Sequence, residues 1–368
     1  MLVVYKMKLL KETFNLSHDT LSRETYSFYY KKIRDSVNKA YKVDYTLTHH
    51  KEFHPIILSR LLRNNKYIGV DNLEQYIENE TTGYIRVTLK FKNRTVVLYF
   101  VLFNDEDFRL DFEFYVSFII SYVIFCDNFN SKCSKQLTVF FYLTPFKKEL
   151  HKQEKIIGTK NVNSGVTYSC IENNEICVYR KEEFLKVFFH EVIHSMGLDS
   201  SLFQDANFIR DMNNIFHVKT TNNYFEAYTE FLGVHFYLMF ISFYLGKNQN
   251  ESFGLFNTLL ENEIYFSMYQ MNKVLNHNGL SYEDLVKHRN TDLYRESSNV
   301  FAYYVLKTIM LYHNNKVFKF LKTKKKLSDF LREIAYSRKF IEETKQFQNN
   351  RVSAYLEKTM RMTIIPQI

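Results

Sequence analysis

Tryptophan, glycine, proline and cysteine are scarce in this sequence. Its 368 residues include no Trp, 9 Gly, 3 Pro and 4 Cys, although Phe and Tyr are abundant. The chain contains no internal repeat and no low-complexity linker, and four cysteines are too few for a scaffold held together by disulfides. A hydrophobic content of 46% and a mean hydropathy of −0.31 indicate a soluble globular protein with a substantial core.

Long hydrophobic runs are also absent. Two mainly apolar stretches, 114–126 and 231–246, have 13 and 16 residues, which is too short to cross a bilayer as a helix. We therefore expect both to be core helices. We expect no signal peptide, because Lys6 and Lys8 interrupt the short apolar stretch at residues 1–5. The sequence thus predicts a cytoplasmic protein with reduced cysteines and no transmembrane segment.

Positive charge is concentrated towards the end of the chain. The net charge is +9, and the segment from Lys316 onward holds thirteen Lys or Arg residues against five Asp or Glu. The lysines of 322–326 can attract an acidic protein partner, nucleic acid or an anionic membrane. The alternative is an ordinary solvated helix face between apolar residues such as Phe318 and Phe320.

The segment 188–197 contains an HExxH motif, formed by His190, Glu191 and His194. On an α-helix, residues four apart share a face, so both imidazoles can bind one zinc ion. Glu191 lies about 100° round the helix from His190, where it can accept a proton from zinc-activated water. The apolar neighbours of the motif and Gly197 after it predict a helix that ends there. A surface helix with two idle histidines is the alternative.

A catalytic zinc ion usually has three protein ligands, and Glu226 is the best candidate for the third. Glu226 opens a long, mostly apolar helix predicted at 224–244, and Glu230 lies one turn further along the same face. This spacing allows Glu226 to bind the metal while Glu230 hydrogen-bonds a ligating histidine and orients its ring. Alternatively, both glutamates are solvated at the positive end of a helix dipole.

With its HExxH motif and the downstream ExxxE pair, the sequence resembles the gluzincin branch of the zincin metallopeptidases. The resemblance implies that His190, His194 and Glu226 bind one Zn²⁺ per chain and that Glu191 is the general base of peptide hydrolysis. It also implies a peptide or protein substrate, whose backbone pairs with the strand nearest the metal helix, here 166–170 or its neighbour across the turn.

Two further segments, 161–165 and 179–183, make the chain look like uncharacterised HExxH proteins of large DNA viruses. This second resemblance implies no particular substrate. For a viral protein we expect the host cytoplasm or the virion as the location.

The order of strands and helices predicts an α+β fold, and the resemblance implies that it is of the zincin type. We expect a helical N-terminal region at 1–80 and an upper subdomain at 81–200 that combines a mixed β-sheet with the metal-binding helix. A helical lower subdomain at 201–312 would supply the third zinc ligand. A basic helical tail at 313–368 completes the chain.

The strands of the upper subdomain are predicted from alternating apolar residues. They lie at 85–91, 95–103 and 136–144, and a further hairpin is expected to turn at Asn173 and Asn174. Cys170 and Cys177 would face each other across this hairpin. We expect two free, half-buried thiols there rather than a disulfide.

Other zinc enzymes fit parts of the pattern. The metzincin pattern HExxHxxGxxH/D is met through Gly197, but its last position falls on Ser200, which is not a credible zinc ligand. Asp199 lies one position early and would need the chain to turn at Gly197. A deformylase-like site would instead use Cys177, which closely precedes the motif, as the third ligand.

The leading hypothesis is a zinc-dependent peptidase, a hydrolase with Glu191 as its base. Its oxyanion donor cannot be chosen from the sequence, and Tyr303, Tyr304 and His235 are the candidates. The alternative is a non-catalytic metal-binding structural or interaction protein that uses a basic C-terminal surface. The intact Glu191 favours the enzyme, because holding a metal does not require a base at that position.

Overall fold

The structure, a computed structural model, describes residues 10–63, 65–104, 111–130, 132–199, 208–220, 225–323, 327–348 and 352–365. The strands are β1 (Tyr45–His50), β2 (Gly83–Phe91), β3 (Arg94–Leu102), β4 (Gln136–Tyr142), β5 (Ile157–Gly158), β6 (Gly165–Thr167), β7 (Asn173–Val178) and β8 (Glu296–Ser297). In chain order, the first helices of the described residues are α1 (Arg23–Ala40), α2 (Leu73–Glu80), α3 (Phe112–Asp127), α4 (Thr159–Val162), α5 (Phe184–Ser195), α6 (Phe208–Phe216), α7 (Phe225–Leu245) and α8 (Gln249–His277).

The described part of the chain after α8 is also mainly helical. After α8 come α9 (Tyr282–Val286), a π-helix (Phe301–Leu306), α10 (Lys307–Tyr312), α11 (Asn314–Phe320), α12 (Leu327–Ala335), α13 (Arg338–Thr344) and α14 (Ala354–Lys358). Short 3-10 helices occupy Pro55–Ile57, Arg60–Leu62, Thr291–Leu293 and Lys345–Phe347. The predicted α+β class is confirmed.

A mixed six-stranded sheet forms the first half, in the order β1-β2-β3-β4-β7-β6. The strands β1, β2 and β3 are antiparallel neighbours, and β4 runs parallel to both β3 and β7. The last pair, β7 and β6, is antiparallel. The short strand β6 forms one edge of the sheet. Helix α3 makes the crossover between β3 and β4, as a parallel pair requires.

Both faces of this sheet are covered. Residues such as Val87, Leu98 and Val139 point to one face, where they pack with α3 and α5. Alternate residues, including Tyr99 and Phe140, point to the other face and pack with the segment from Ile57 to Ile77. Strands buried on two faces need apolar residues at nearly every position, which is the pattern of β3 and β4.

Helix α7 lies in the centre of the helical half. Every residue from Ala227 to Ser242 is buried, as expected for a helix that is apolar on all sides. It packs closely on α5 at Gly233, where an added β-carbon would lie 3.4 Å from His190 Cα. This contact brings the start of α7 next to the HExxH motif. Among the described residues, no helix is both long enough and apolar enough to cross a membrane.

Several predicted elements differ from the structure. The N-terminal region expected to be helical contains the exposed edge strand β1, whose six residues pair with β2. The β6–β7 hairpin exists, but its turn is 168–172, and Asn173 and Asn174 lie in β7. Residues 201–207 of the predicted connector lie outside the described part of the chain. So do Lys324–Lys326 of the basic segment, while Lys322 is described and exposed.

The cysteine prediction was wrong for Cys170. Cys170 is bonded to Cys133, with a Cα–Cα distance of 4.8 Å, whereas Cys126 and Cys177 are buried free thiols. Cys170 lies in the turn with a φ of 47°, so its side chain leaves the line of the strand and does not face Cys177. In the hairpin register, the residue opposite Cys177 is Val166 and not Cys170.

Candidate metal centre

Helix α5 carries the HExxH motif and has well-defined ends. It starts after Glu183, whose φ is 61°, and Gly197, with a φ of 62°, follows its last turn. The N–H of Leu198 donates to the carbonyl of Ile193 at 3.0 Å and that of Gly197 to His194 at 2.9 Å, which closes the helix end. Glycine is required here, because a β-carbon would lie 3.0 Å from the β-carbon of Cys170.

Three side-chain atoms converge beside α5. The Nε2 atoms of His190 and His194 lie 3.1 Å apart, and Oε2 of Glu226 lies 3.1 Å from the first and 3.3 Å from the second. Tetrahedral zinc with bonds of about 2.0–2.1 Å separates its ligand atoms by about 3.3–3.4 Å. The three donors therefore fit one metal ion, and they form a group that can hold one.

A carboxylate lies at hydrogen-bond distance from the Nδ1 atom of each imidazole. Nδ1 of His190 lies 2.9 Å from Oε2 of Glu230, and Nδ1 of His194 lies 2.5 Å from Oδ2 of Asp199. Each carboxylate accepts a hydrogen bond from the Nδ1–H group, so the proton stays on Nδ1 and each ring presents the lone pair of Nε2 to the metal position. Asp199, weighed as a third ligand in the metzincin alternative, instead lies on the Nδ1 side of His194. Thr229 donates to the same Asp199 oxygen at 3.0 Å.

Glu191 faces the same cleft as the donor atoms. Burial raises the pKa of its carboxyl above the ordinary value, and the nearby histidines partly oppose that shift. Glu226 behaves differently. Burial alone would raise its pKa, but when both rings are protonated the charge of His194 and hydrogen bonds from both histidines hold it well below the ordinary range. The cleft thus contains two carboxylates with opposite shifts, a common feature of functional sites.

The cleft has a volume of about 370 Å³. One wall comes from the loop and strand around β6, and the other from the start of α7 and the π-helix. Besides the three donors, Glu191 and Asp199, its lining consists of Tyr67, Asn163, Gly165, Val166, Thr167, Ser169, Phe225, Asn299 and Tyr303.

One of the three candidate oxyanion donors reaches this cleft. The hydroxyl of Tyr303 donates to Oε2 of Glu226 at 3.0 Å, and its ring lies edge-on to His190. Tyr303 belongs to the π-helix Phe301–Leu306, a type of distortion that is frequent at functional sites.

The other two candidates lie outside this cleft. Tyr304, the next residue, turns away and donates to the carbonyl of Met360 at 2.5 Å. His235 lies in the aromatic core, where Nδ1 donates to the carbonyl of Phe231 at 2.9 Å and its ring contacts Phe318. Cys177, the deformylase-like alternative ligand, packs in the cluster on the far sheet face and is not part of the donor group.

The sequence reasoning missed two contributors to this site. Asp199 was considered only as a ligand, although its position just after the Gly197 turn was a signal that it lies near His194. Gly165 was not singled out, yet it lies in contact with Glu191. A signal for it was its position directly before the strand expected at 166–170, the one nearest the metal helix.

Comparison with known proteins gives one distant relative. The chain is 27% identical over 209 residues to an uncharacterised protein of Acanthamoeba polyphaga mimivirus. The match covers 54% of this chain and 52% of the relative, so the chain spans about half the length of that protein. No protein-family model and no solved structure matches the chain. This similarity supports a viral origin. Because the relative is uncharacterised, it indicates no reaction or ligand.

Proposed function

We propose that the protein is a zinc-dependent peptidase, with the metal held by His190, His194 and Glu226 and with Glu191 as general base. The observation that carries this proposal is the triangle of two Nε2 atoms and one Oε2 atom, with sides of 3.1–3.3 Å. Two imidazoles and one carboxylate are a donor set suited to zinc that leaves one position open. Zinc held there supplies Lewis acidity, which lowers the pKa of water and polarises a carbonyl.

The role of Glu191 follows from its place on α5. Its carboxylate lies in the same cleft as the donor atoms, one residue after His190. In the proposed reaction it accepts a proton from the water that attacks the peptide carbonyl carbon. It then delivers this proton to the leaving amine nitrogen as the C–N bond breaks.

The walls of the cleft suit an extended peptide. Strand β6 ends the sheet, and its residues Val166 and Thr167 line the cleft. A peptide that pairs with the edge of β6 brings its own carbonyl towards the donor group. The hydroxyl of Tyr303 lies on the opposite wall, where it can donate a hydrogen bond to the developing oxyanion.

The test separates catalysis from metal binding. The purified protein should contain about one zinc per chain and should cleave members of an unbiased peptide library. Glu191→Gln should keep the zinc, measured by elemental analysis, and lose cleavage. Unchanged cleavage by Glu191→Gln would contradict the proposed base. A wild-type protein that binds zinc and cleaves no peptide would favour the non-catalytic alternative.

A further inference from the structure

Lys186 lies one helical turn before His190 on α5. Its side chain and that of Glu230 are each 1% exposed, and Nζ of Lys186 donates to Oε1 of Glu230. The other oxygen of Glu230 accepts the hydrogen bond from Nδ1 of His190 at 2.9 Å. One buried carboxylate therefore joins an ammonium group and an imidazole of the metal centre through different oxygens.

This arrangement has a geometric consequence for His190. A carboxylate with one hydrogen bond can rotate about its terminal bond, whereas bonds at both oxygens fix its plane. The plane of Glu230 in turn sets where the Nδ1–H of His190 points, and hence where Nε2 lies. Lys186 also provides the countercharge that a carboxylate needs in a buried position.

The pair is shielded from bulk solvent. The sulfur of Met362 lies 3.9 Å from Nζ of Lys186. The Met362 segment is held in place by buried groups, because its backbone N–H donates to Glu183 at 2.9 Å and Lys307 donates to its carbonyl at 3.1 Å. Away from bulk water, the attraction between Lys186 and Glu230 is stronger than at a solvated surface.

We propose that Lys186 is a positioning residue of the metal centre. By holding Oε1 of Glu230, it orients His190 and raises the affinity of the site for zinc. The inference rests on the proposed zinc site and adds a residue that acts through Glu230 and does not itself contact the metal.

The first experiment compares Lys186→Met with Lys273→Met. Lys273 is the control, since it lies on α8, its Nζ donates to the carbonyl of Leu356 at 2.8 Å, and it does not line the metal cleft. Zinc dissociation constants are measured by competition with a chelator, and cobalt is substituted to record the ligand-field spectrum. Lys186→Met should bind zinc about 10–100-fold more weakly, as do other changes to residues that support a metal ligand, with an altered cobalt spectrum. Lys273→Met should match the wild type in both measurements.

A double-mutant cycle keeps the inference testable if Lys186→Met does not fold. Glu230→Gln removes the buried anion, so adding Lys186→Met to it should weaken zinc binding no further. A further loss in the double variant would show that Lys186 acts independently of Glu230 and would overturn the proposal.

Two outcomes separate this inference from the proposed function. If the wild type binds zinc and cleaves peptides while Lys186→Met binds zinc equally well, only the role of Lys186 is overturned. If the wild type binds no zinc, the metal centre itself is overturned, and the positioning role falls with it.

Discussion

Gly165 lies directly against the carboxylate of Glu191. A β-carbon at position 165 would be 2.7 Å from Oε1 of Glu191 and 2.7 Å from Cγ1 of Val187, closer than non-bonded atoms approach. Glycine therefore allows β6 to lie against α5 and to form a wall of the cleft beside the proposed base. The contact makes the position of Glu191 sensitive to a single methyl group.

Gly165→Ala should lower kcat for peptide hydrolysis while zinc stays bound. The added methyl displaces the Glu191 carboxylate, and a misplacement of about 1 Å can reduce a rate by about 100-fold. The matched control is Gly254→Ala on α8, where a β-carbon meets no atom within 4 Å. This control should keep full activity and gain about 1 kcal/mol of stability. Equal activity of Gly165→Ala and wild type, with zinc content measured for both, would contradict the role given to this contact.

The ligand and its supporting carboxylates should respond differently to truncation. Glu226→Ala should lose most of the zinc, because it removes one of three donor atoms. Glu230→Ala and Asp199→Ala should keep the metal with an affinity about 10–100-fold lower, since each removes only the carboxylate behind a histidine. Elemental analysis and chelator competition measure both effects. A protein that loses its zinc through Asp199→Ala but not through Glu226→Ala would restore the metzincin alternative.

The disulfide should contribute measurably to stability. Cys133 and Cys170 are 37 residues apart, and closing a loop of this length stabilises a fold by about 3–4 kcal/mol. Cys133→Ser should therefore lower the free energy of unfolding by about this amount in urea titrations without reductant. With reductant, wild type and Cys133→Ser should become alike. Cys177→Ala is the control, because Cys177 is a buried free thiol and its variant should keep the response to reductant. If the free energy of unfolding of the wild type were the same with and without reductant, the disulfide would be absent in solution.

His235 should make the fold sensitive to mild acid. Burial lowers its pKa from 6.5 to about 4, partly opposed by the hydrogen bond to Phe231. Below pH 6.5 the unfolded chain binds a proton that the folded chain excludes, so stability falls as pH decreases towards 4. For these pKa values the loss at pH 5 is about 2 kcal/mol.

His235→Leu should reduce the loss of stability between pH 7 and pH 5 by this amount. Urea denaturation at the two pH values measures the difference. The control is Leu238→Ala, another change at a buried position of α7, which removes no titratable group and should lower stability equally at both pH values. An identical pH dependence in wild type and His235→Leu would show that His235 is protonated in the folded protein.

Several elements could be predicted from the sequence because their signals are local. The alternation of residues in β2 and β3 and the apolar character of α3 and α7 depend on neighbours a few positions away. Boundaries were less accurate. The strand β1 was missed because its residues are mostly exposed and the alternation of Tyr45 and Leu47 with threonines is short, ending at His49. Its strand conformation comes from pairing with β2, a contact between segments about forty residues apart.

The sequence by itself determined that His190, Glu191 and His194 share a helix and that Glu226 and Glu230 lie one turn apart on another. These relationships follow from helical periodicity. Only the tertiary structure decided how the two helices meet, with Nε2 and Oε2 atoms converging on one point and Asp199 behind His194.

The tertiary structure also decided which distant residues join the site. Tyr303 lies in the cleft while Tyr304 and His235 do not, and Cys170 is bonded to Cys133 rather than facing Cys177 as a free thiol. Neighbouring tyrosines look alike in a sequence, but a helix points them in directions about 100° apart. Which direction faces the metal centre depends on how the π-helix packs against α7. That packing is set by contacts between segments far apart in the chain, and no local pattern records it.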